Sequence, residues 1–226
     1  MKRREALTIV LGSLALAGCV PAGKATPPLH RKGRRRIVVF VHGLFQNGDV
    51  SFGKLRRKLE ARGVECFAPS LTPADAHNGL DRLAEQLKER IDERFDANER
   101  FSIVGFSMGG LIARYYLQEL GGAARCDRLF TVSTPHHGTW SSWGYPGEGA
   151  RQMKPGSPFL KRLEASEDRL GTMPVVSYRS TFDPVILPPE SPVWKRAENR
   201  EFSGYVHVWI TRNEALIEDL EERLVR

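Results

Sequence analysis

The sequence predicts an α/β fold with a mostly parallel central sheet and helices on both faces. Two observations carry that reading. From residue 37 onward, short β-branched runs alternate with amphipathic helical stretches, and the first run, Ile37-Val38-Val39-Phe40-Val41, is apolar throughout. A strand with one wet face would alternate polar and apolar residues, so an unbroken apolar run belongs in a sheet covered on both sides. Strand–helix alternation then implies parallel neighbours joined by crossover helices. The 226 residues suit one large domain better than two. With 41% hydrophobic and 27% charged residues, wholesale disorder and fibrous architectures are excluded.

The elements follow in order. Phe52, Leu55 and Leu59 fall at helical spacing, and Gly63 closes that helix. Val64 to Ala68 reads as a second strand. Leu80, Leu83, Leu87 and Ile91 then mark a long amphipathic helix among Asp, Glu, Lys and Arg. Phe101 to Gly105 is a third strand, running into a helix with Leu111, Ile112, Tyr115 and Leu120 inward. Leu129 to Ser133 and Pro174 to Tyr178 supply two more strands. Asn213 to Leu224 is a closing helix, with Asn213 as N-cap and Leu216, Ile217, Leu220 and Leu224 as its apolar stripe. No internal repeat is present.

The amino terminus reads as an address. Met1-Lys2-Arg3-Arg4 is basic, and Leu7 to Gly18 is uncharged for twelve residues, shorter than the roughly 20 a spanning helix needs. This stretch ends Leu16-Ala17-Gly18-Cys19, which resembles the bacterial lipobox, where small residues precede a cysteine that is lipidated. The resemblance implies a signal peptide over 1–18, a lipid-anchored Cys19 and a place in the bacterial cell envelope. Val20, where an aspartate would resemble an inner-membrane retention signal, points to the outer membrane facing the periplasm. A soluble secreted or periplasmic protein is the alternative. Residues 19–36 read as a basic, Pro-rich tether; His30 to Arg36 holds five cations in seven positions, suited either to anionic headgroups or simply to water. The formal charge is +7, and the 31 basic and 26 acidic groups beyond residue 18 leave +5. That bias is mild, and no aromatics interleave the cations for base stacking, so no nucleic-acid partner is expected.

Gly105-Phe106-Ser107-Met108-Gly109-Gly110 lies between a strand and a helix. A serine on such a sharp turn needs small neighbours two residues away on either side. The turn aims its hydroxyl over the sheet edge, beside a helix N-terminus that favours developing negative charge. With this context the chain resembles the α/β-hydrolase superfamily, within it the bacterial lipase and esterase group, over residues 37–226. His42-Gly43-Leu44-Phe45 is similar to the family's oxyanion-hole motif, and Thr134-Pro135-His136-His137-Gly138-Thr139 to its TPHxG turn. Ser203-Gly204-Tyr205-Val206-His207 is similar to its histidine loop. The resemblance implies an α/β-hydrolase fold with about six strands and a small cap. It also implies Ser107 as nucleophile, and the backbone N–H groups of Leu44 and Met108 as oxyanion donors.

Serine needs a base held by a third group. Of six histidines, His30 lies in the tether, His42 in the oxyanion turn and His77 in a polar loop; His136 and His137 suit anchoring or pocket lining. His207 alone fits the order serine, acid, histidine. Asp183, in a loop past a strand, is where the resemblance puts the carboxylate; Asp168 and Glu190 are rivals. Residues 134–173 are too long for a bare connection and read as a cap, with a short helix capped by Ser157 and opened by Pro158. Its aromatics either line an acyl pocket or form local core; the candidate pocket residues are Phe45, His136, Trp140 and Trp143. The family's sheet order would separate Cys66 and Cys126 by two strands, beyond disulfide reach, so two free buried thiols are expected. No metal-ligand spacing is evident, and no cofactor is expected.

These residues imply a serine hydrolase of carboxylic esters, with small-molecule or lipid esters as substrates. An acyltransferase or thioesterase would use the same machinery. A catalytically silent envelope protein that binds lipid is the reading from another class. Oligomeric state is not written in the sequence.

Overall fold

The computed structural model describes residues 35–204 and 206–225. The leader 1–18, Cys19, His30 and the tether up to residue 34 lie outside the described residues. Six strands form one sheet: β1 (Ile37–Val41), β2 (Glu65–Phe67), β3 (Phe101–Phe106), β4 (Cys126–Val132), β5 (Val175–Ser180) and β6 (Glu198–Phe202). Their order is β2-β1-β3-β4-β5-β6 and every pairing is parallel.

Side-chain alternation divides the core. In β1, Ile37, Val39 and Val41 join one apolar cluster and Val38 and Phe40 the other. The first cluster is covered by α2 (Leu80–Arg94), α3 (Met108–Glu119) and α5 (Pro158–Ala165). The second is covered by α1 (Gly53–Ala61) and α6 (Glu214–Val225). The helical periodicities explain these contacts. Leu80, Leu83, Leu87 and Ile91 of α2 recur every three or four residues and are all buried, as are Leu216, Ile217, Leu220 and Leu224 of α6. Each fully buried Leu or Ile contributes roughly 1.5–3 kcal/mol by leaving water. Asn213 caps α6 through its Oδ1, which accepts from Leu216 N–H at 3.2 Å. In the insertion between β4 and β5, a short helix α4 (Glu148–Gln152) precedes α5; the Ser157 hydroxyl accepts from Leu160 N–H at 3.2 Å, with Pro158 opening the helix.

Several elements depart from expectation. Strand β4 begins three residues early, at Cys126, because Cys126 and Arg128 extend the parallel pairing to Phe101 and Ser102 of β3 across a register shift. Strand β6 had no apolar signature: four of its five residues, Glu198-Asn199-Arg200-Glu201, are exposed. It is an edge strand held by parallel pairing to β5 and by ion pairs of Glu198 with Arg223 and of Glu201 with Arg179. Charged residues on an edge deter further pairing. In α3 the buried aromatic is Tyr116, while Tyr115 is half-buried and stacks on Phe159 of the insertion at 5.4 Å. Cys126 is buried and Cys66 half-buried, both free, with β1 and β3 between their strands. Among the described residues, no helix is long and apolar enough to cross a membrane.

The packing makes a simple stability test. Leu87 is fully buried, so Leu87→Ala should lower unfolding free energy by about 2–5 kcal/mol. Lys88→Ala, one residue on and half-exposed in an ion pair with Asp92, should change it by less than about 1 kcal/mol. Urea unfolding midpoints with unchanged slopes would read both.

Candidate functional site

All six strands point their C-terminal ends to one edge, and the strand order reverses direction beside β1 and β3. That is where open parallel sheets bind ligands. Ser107 sits there, between β3 and α3, at φ +53° and ψ −125°, a conformation that side chains rarely adopt. Its N–H donates to Val132 O at 2.8 Å, tying the turn to β4. Close backbone approach demands the flanking glycines: a Cβ on Gly105 would stand 2.6 Å from Gly110 Cα, and one on Gly109 only 2.3 Å from Val41 O. Met108, next along, opens α3, so its N–H has no intrahelical acceptor.

Three loops converge on this turn. His207 opens a 3₁₀ turn beyond β6; its Nε2 lies 2.8 Å from Ser107 Oγ and its Nδ1 lies 2.8 Å from Asp183 Oδ2. An ionised carboxylate only accepts, so Nδ1 carries the proton and Nε2 is left to accept from the serine hydroxyl. All three side chains are buried, and the His207 ring packs on Phe106 at 4.9 Å. Asp183 lies past β5, where its Oδ1 accepts from Val185 N–H at 2.9 Å and Ile186 N–H at 3.0 Å. Burial alone would raise this carboxyl's pKa; the hydrogen bond from His207, with those two amides, outweighs it and holds the pKa below its ordinary value.

The third loop is His42-Gly43-Leu44-Phe45. A Cβ on Gly43 would meet the Phe106 ring at 2.8 Å and Ser107 Cβ at 3.3 Å, so this turn lies against the serine. His42 anchors it: Nε2 accepts from Leu71 N–H at 2.9 Å, Nδ1–H donates to Gly43 O, and burial lowers its pKa. Phe45 adopts φ +57° and commits its N–H to Ala74 O.

The family profile for the alpha/beta hydrolase fold matches residues 36–158. The chain belongs to the alpha/beta-hydrolase family. No curated protein matches it at a significant level. Among solved structures it is similar to Bacillus licheniformis lipase BlEst2 in mature form, at 15% identity and TM-score 0.70, covering 88% of this chain and 96% of that one. A Paleococcus ferrophilus monoacylglycerol lipase gives 17% identity and TM-score 0.65, covering 85% and 96% respectively. Aspergillus fumigatus lipase B gives 16% and 0.68, covering 85% of this chain and 53% of that one. Identities this low establish shared fold.

The remaining candidate residues of this alpha/beta hydrolase are set in several surroundings. Phe45 and Leu44 line a narrow cleft of about 60 Å³ with Tyr145, Pro146, Ala150 and Met153. Trp140 and Trp143 are exposed and so are not local core, whereas Phe159 is buried against Tyr115. His137 is exposed, with Nε2–H toward Val193 O, and His77 is exposed. Of the rival carboxylates, Asp168 and Glu190 make no contact with His207. Two larger grooves, one lined by Asp81, Tyr115 and Arg162 and one by Arg128, Glu198 and Arg223, contain no residue of the Ser107 constellation. Among the described residues, no group of side chains could hold a metal ion.

His136 is not on a pocket wall; it is interior. Arg114 can only donate, so His136 Nδ1 accepts from it at 3.2 Å and Nε2–H donates to Thr131 Oγ1 at 3.1 Å. Arg114 is itself buried, 4.1 Å from the Trp194 ring centre and paired with Glu167 at 3.0 Å. Burial and then the Arg114 charge keep the imidazole's pKa well below its ordinary value. This network went unseen in the sequence because Arg114, Glu167 and Trp194 are far apart and carry no motif.

The sign of the resulting pH effect is fixed. The unfolded chain protonates this imidazole below about pH 6.5 while the folded chain resists, so stability falls as pH drops through that value. Unfolding free energy should decline between pH 7.5 and 5.5. His136→Gln should flatten the slope without abolishing it, because His42 contributes in the same direction. Denaturant melts at both pH values check this.

Proposed function

We propose that this alpha/beta hydrolase cleaves carboxylic esters through an acyl-enzyme formed on Ser107. The observation that carries the reading is one imidazole within 2.8 Å of both a hydroxyl and a buried carboxylate. Ser107 Oγ attacks the ester carbonyl carbon as His207 Nε2 takes its proton. Asp183 fixes the tautomer and stabilises the imidazolium, without itself taking the proton. The N–H groups of Leu44 and Met108 hold the oxyanion of the tetrahedral intermediate. His207 then returns the proton to the departing alkoxide, and the same cycle with water releases the acid and restores the serine.

The finer reading is that the esters are lipidic. It draws support from where the surface is apolar. Every large hydrophobic side chain exposed among the described residues follows the C-terminal end of a strand. Phe45 and Val50 follow β1, Trp140, Trp143 and Tyr145 follow β4, Phe182, Val185 and Leu187 follow β5, and Val208 and Trp209 follow β6. Aromatic side chains of this kind favour the boundary between water and lipid, and Lys154 stands 4.1 Å from the Trp143 ring centre, as a headgroup-facing cation would. These loops start from the sheet edge that carries Ser107, so in this reading an acyl chain enters from the surface they share. A lipidated Cys19 would hold the domain near that surface, and we extend the proposal to an envelope location on the motif in residues 16–19.

Turnover of nitrophenyl esters tests the chemistry. Ser107→Ala should reduce it to background, and Asp183→Asn should lower kcat about 10⁴-fold through the wrong histidine tautomer. Activity that survives Ser107→Ala would overturn the reading. For the lipidic part, Phe182→Ser with Trp209→Ser should reduce turnover of an emulsified long-chain ester several-fold more than that of a dissolved short-chain ester. Equal losses would contradict it.

A further inference from the structure

The loop that carries Asp183 has few apolar anchors. Phe182, Val185 and Leu187 are turned to solvent, and Ile186 alone of its large apolar side chains is buried. Hydrophobic burial therefore does little to fix it, yet its carboxylate must stay within hydrogen-bond reach of His207. The amides of Val185 and Ile186 orient that carboxylate, so the position of backbone 185–187 decides where it points.

That backbone is held from the insertion after β4. Thr139 is buried, and its hydroxyl donates to Val185 O at 2.9 Å while accepting from Leu187 N–H at 2.9 Å. Trp140 N–H donates to Leu187 O at 2.8 Å, and Ser141 Oγ–H donates to Val185 O at 2.6 Å. These bonds bracket Ile186 on both sides. Thr139 is in turn fixed by its own N–H, which donates to Met153 O at 2.9 Å. Gly138 beside it sits at φ +87°, where a Cβ would meet Pro155 N at 2.6 Å. As cap of the 3₁₀ turn Trp140–Gly144, Thr139 Oγ1 also lies 3.4 Å from Ser141 N–H and 3.0 Å from Ser141 Oγ, so its hydroxyl ties that turn to the Asp183 loop.

We propose that Thr139 is a positioning residue of the site: by clamping backbone 185–187 it sets the Asp183 carboxylate against His207. The inference rests on the ester-hydrolase reading above. Thr139 touches no reacting atom; it acts through Asp183. Valine would keep its shape but offer neither the donor to Val185 O nor the acceptor for Leu187 N–H, whereas serine would keep both. If capping were its whole role, losing the hydroxyl would disturb the insertion and substrate binding, and the loss would not pass through Asp183.

Steady-state kinetics on a dissolved short-chain nitrophenyl ester test this with the full chain. Thr139→Val should lower kcat about ten- to a hundredfold, the scale of a displacement near 1 Å, with KM within about twofold. Thr139→Ser should stay within about threefold of the parent, because the hydroxyl is retained. In an Asp183→Asn background, Thr139→Val should cost no more than about twofold, since residues acting as a unit are not additive. Unchanged kcat in Thr139→Val, a rise in KM alone, or the same fold-loss in both backgrounds would each overturn the proposal. Failure of the underlying reading shows separately, as parental turnover that Ser107→Ala does not remove. Should Thr139→Val lose its cooperative thermal transition, Ser141→Ala takes its place. It removes the other donor to Val185 O and should give a smaller loss in kcat that vanishes in the Asp183→Asn background; a loss that persists there, or none, would overturn the proposal.

Discussion

The contact on which this site depends is the hydrogen bond between Ser107 Oγ and His207 Nε2, made by residues 100 positions apart. Only the sheet brings them together. Because all six strands run parallel, the ends of β1, β3, β5 and β6 open onto one edge, and each contributes one loop there. The serine's positive φ is a strained state that persists because the surroundings over-determine it: its N–H is tied to β4, and Gly109 is pressed against the carbonyl of Val41. Loss of either restraint would move the hydroxyl relative to a base it meets at one distance.

Around that contact the protein uses two kinds of cohesion. The two apolar clusters on opposite sheet faces hold the strands and helices, and so fix the ends of the loops. The loops themselves expose apolar side chains and rely on polar ties. His42 pins the turn after β1, the Thr139 hydroxyl pins the loop after β5, and the Arg114–His136–Glu167–Trp194 network joins α3 to the insertion and to the chain before β6. Such networks are stable only when every member is satisfied, and burial holds the pKa values of His42 and His136 below their ordinary value. The division leaves the aromatic rim free to face outward.

Much of this was legible in the sequence, for physical reasons. Buried parallel strands and amphipathic helices write their periodicity directly, as in Ile37–Val41 and in the Leu80–Ile91 stripe. The turn around Ser107 shows because its geometry tolerates only glycine at two neighbours. Resemblance added Asp183 and His207, which the structure brings to Ser107. What stayed hidden lacks local pattern. Strand β6 is a charged edge that takes its conformation from β5. The burial of Arg114 comes from tertiary partners, and the outward set of Trp140 and Trp143 follows from how the insertion folds. Thr139 looked like the end of a motif, and its contacts lie 46 and 48 residues away.

In the proposed function Ser107 is made nucleophilic by His207. Its most direct measurement is mass-spectrometric mapping of the adduct left by a fluorophosphonate on the folded protein. A single phosphonylated peptide containing Ser107 is expected, formed quickly in the parent and orders of magnitude more slowly in His207→Ala. An adduct on another residue, or equal labelling rates in the two proteins, would contradict it.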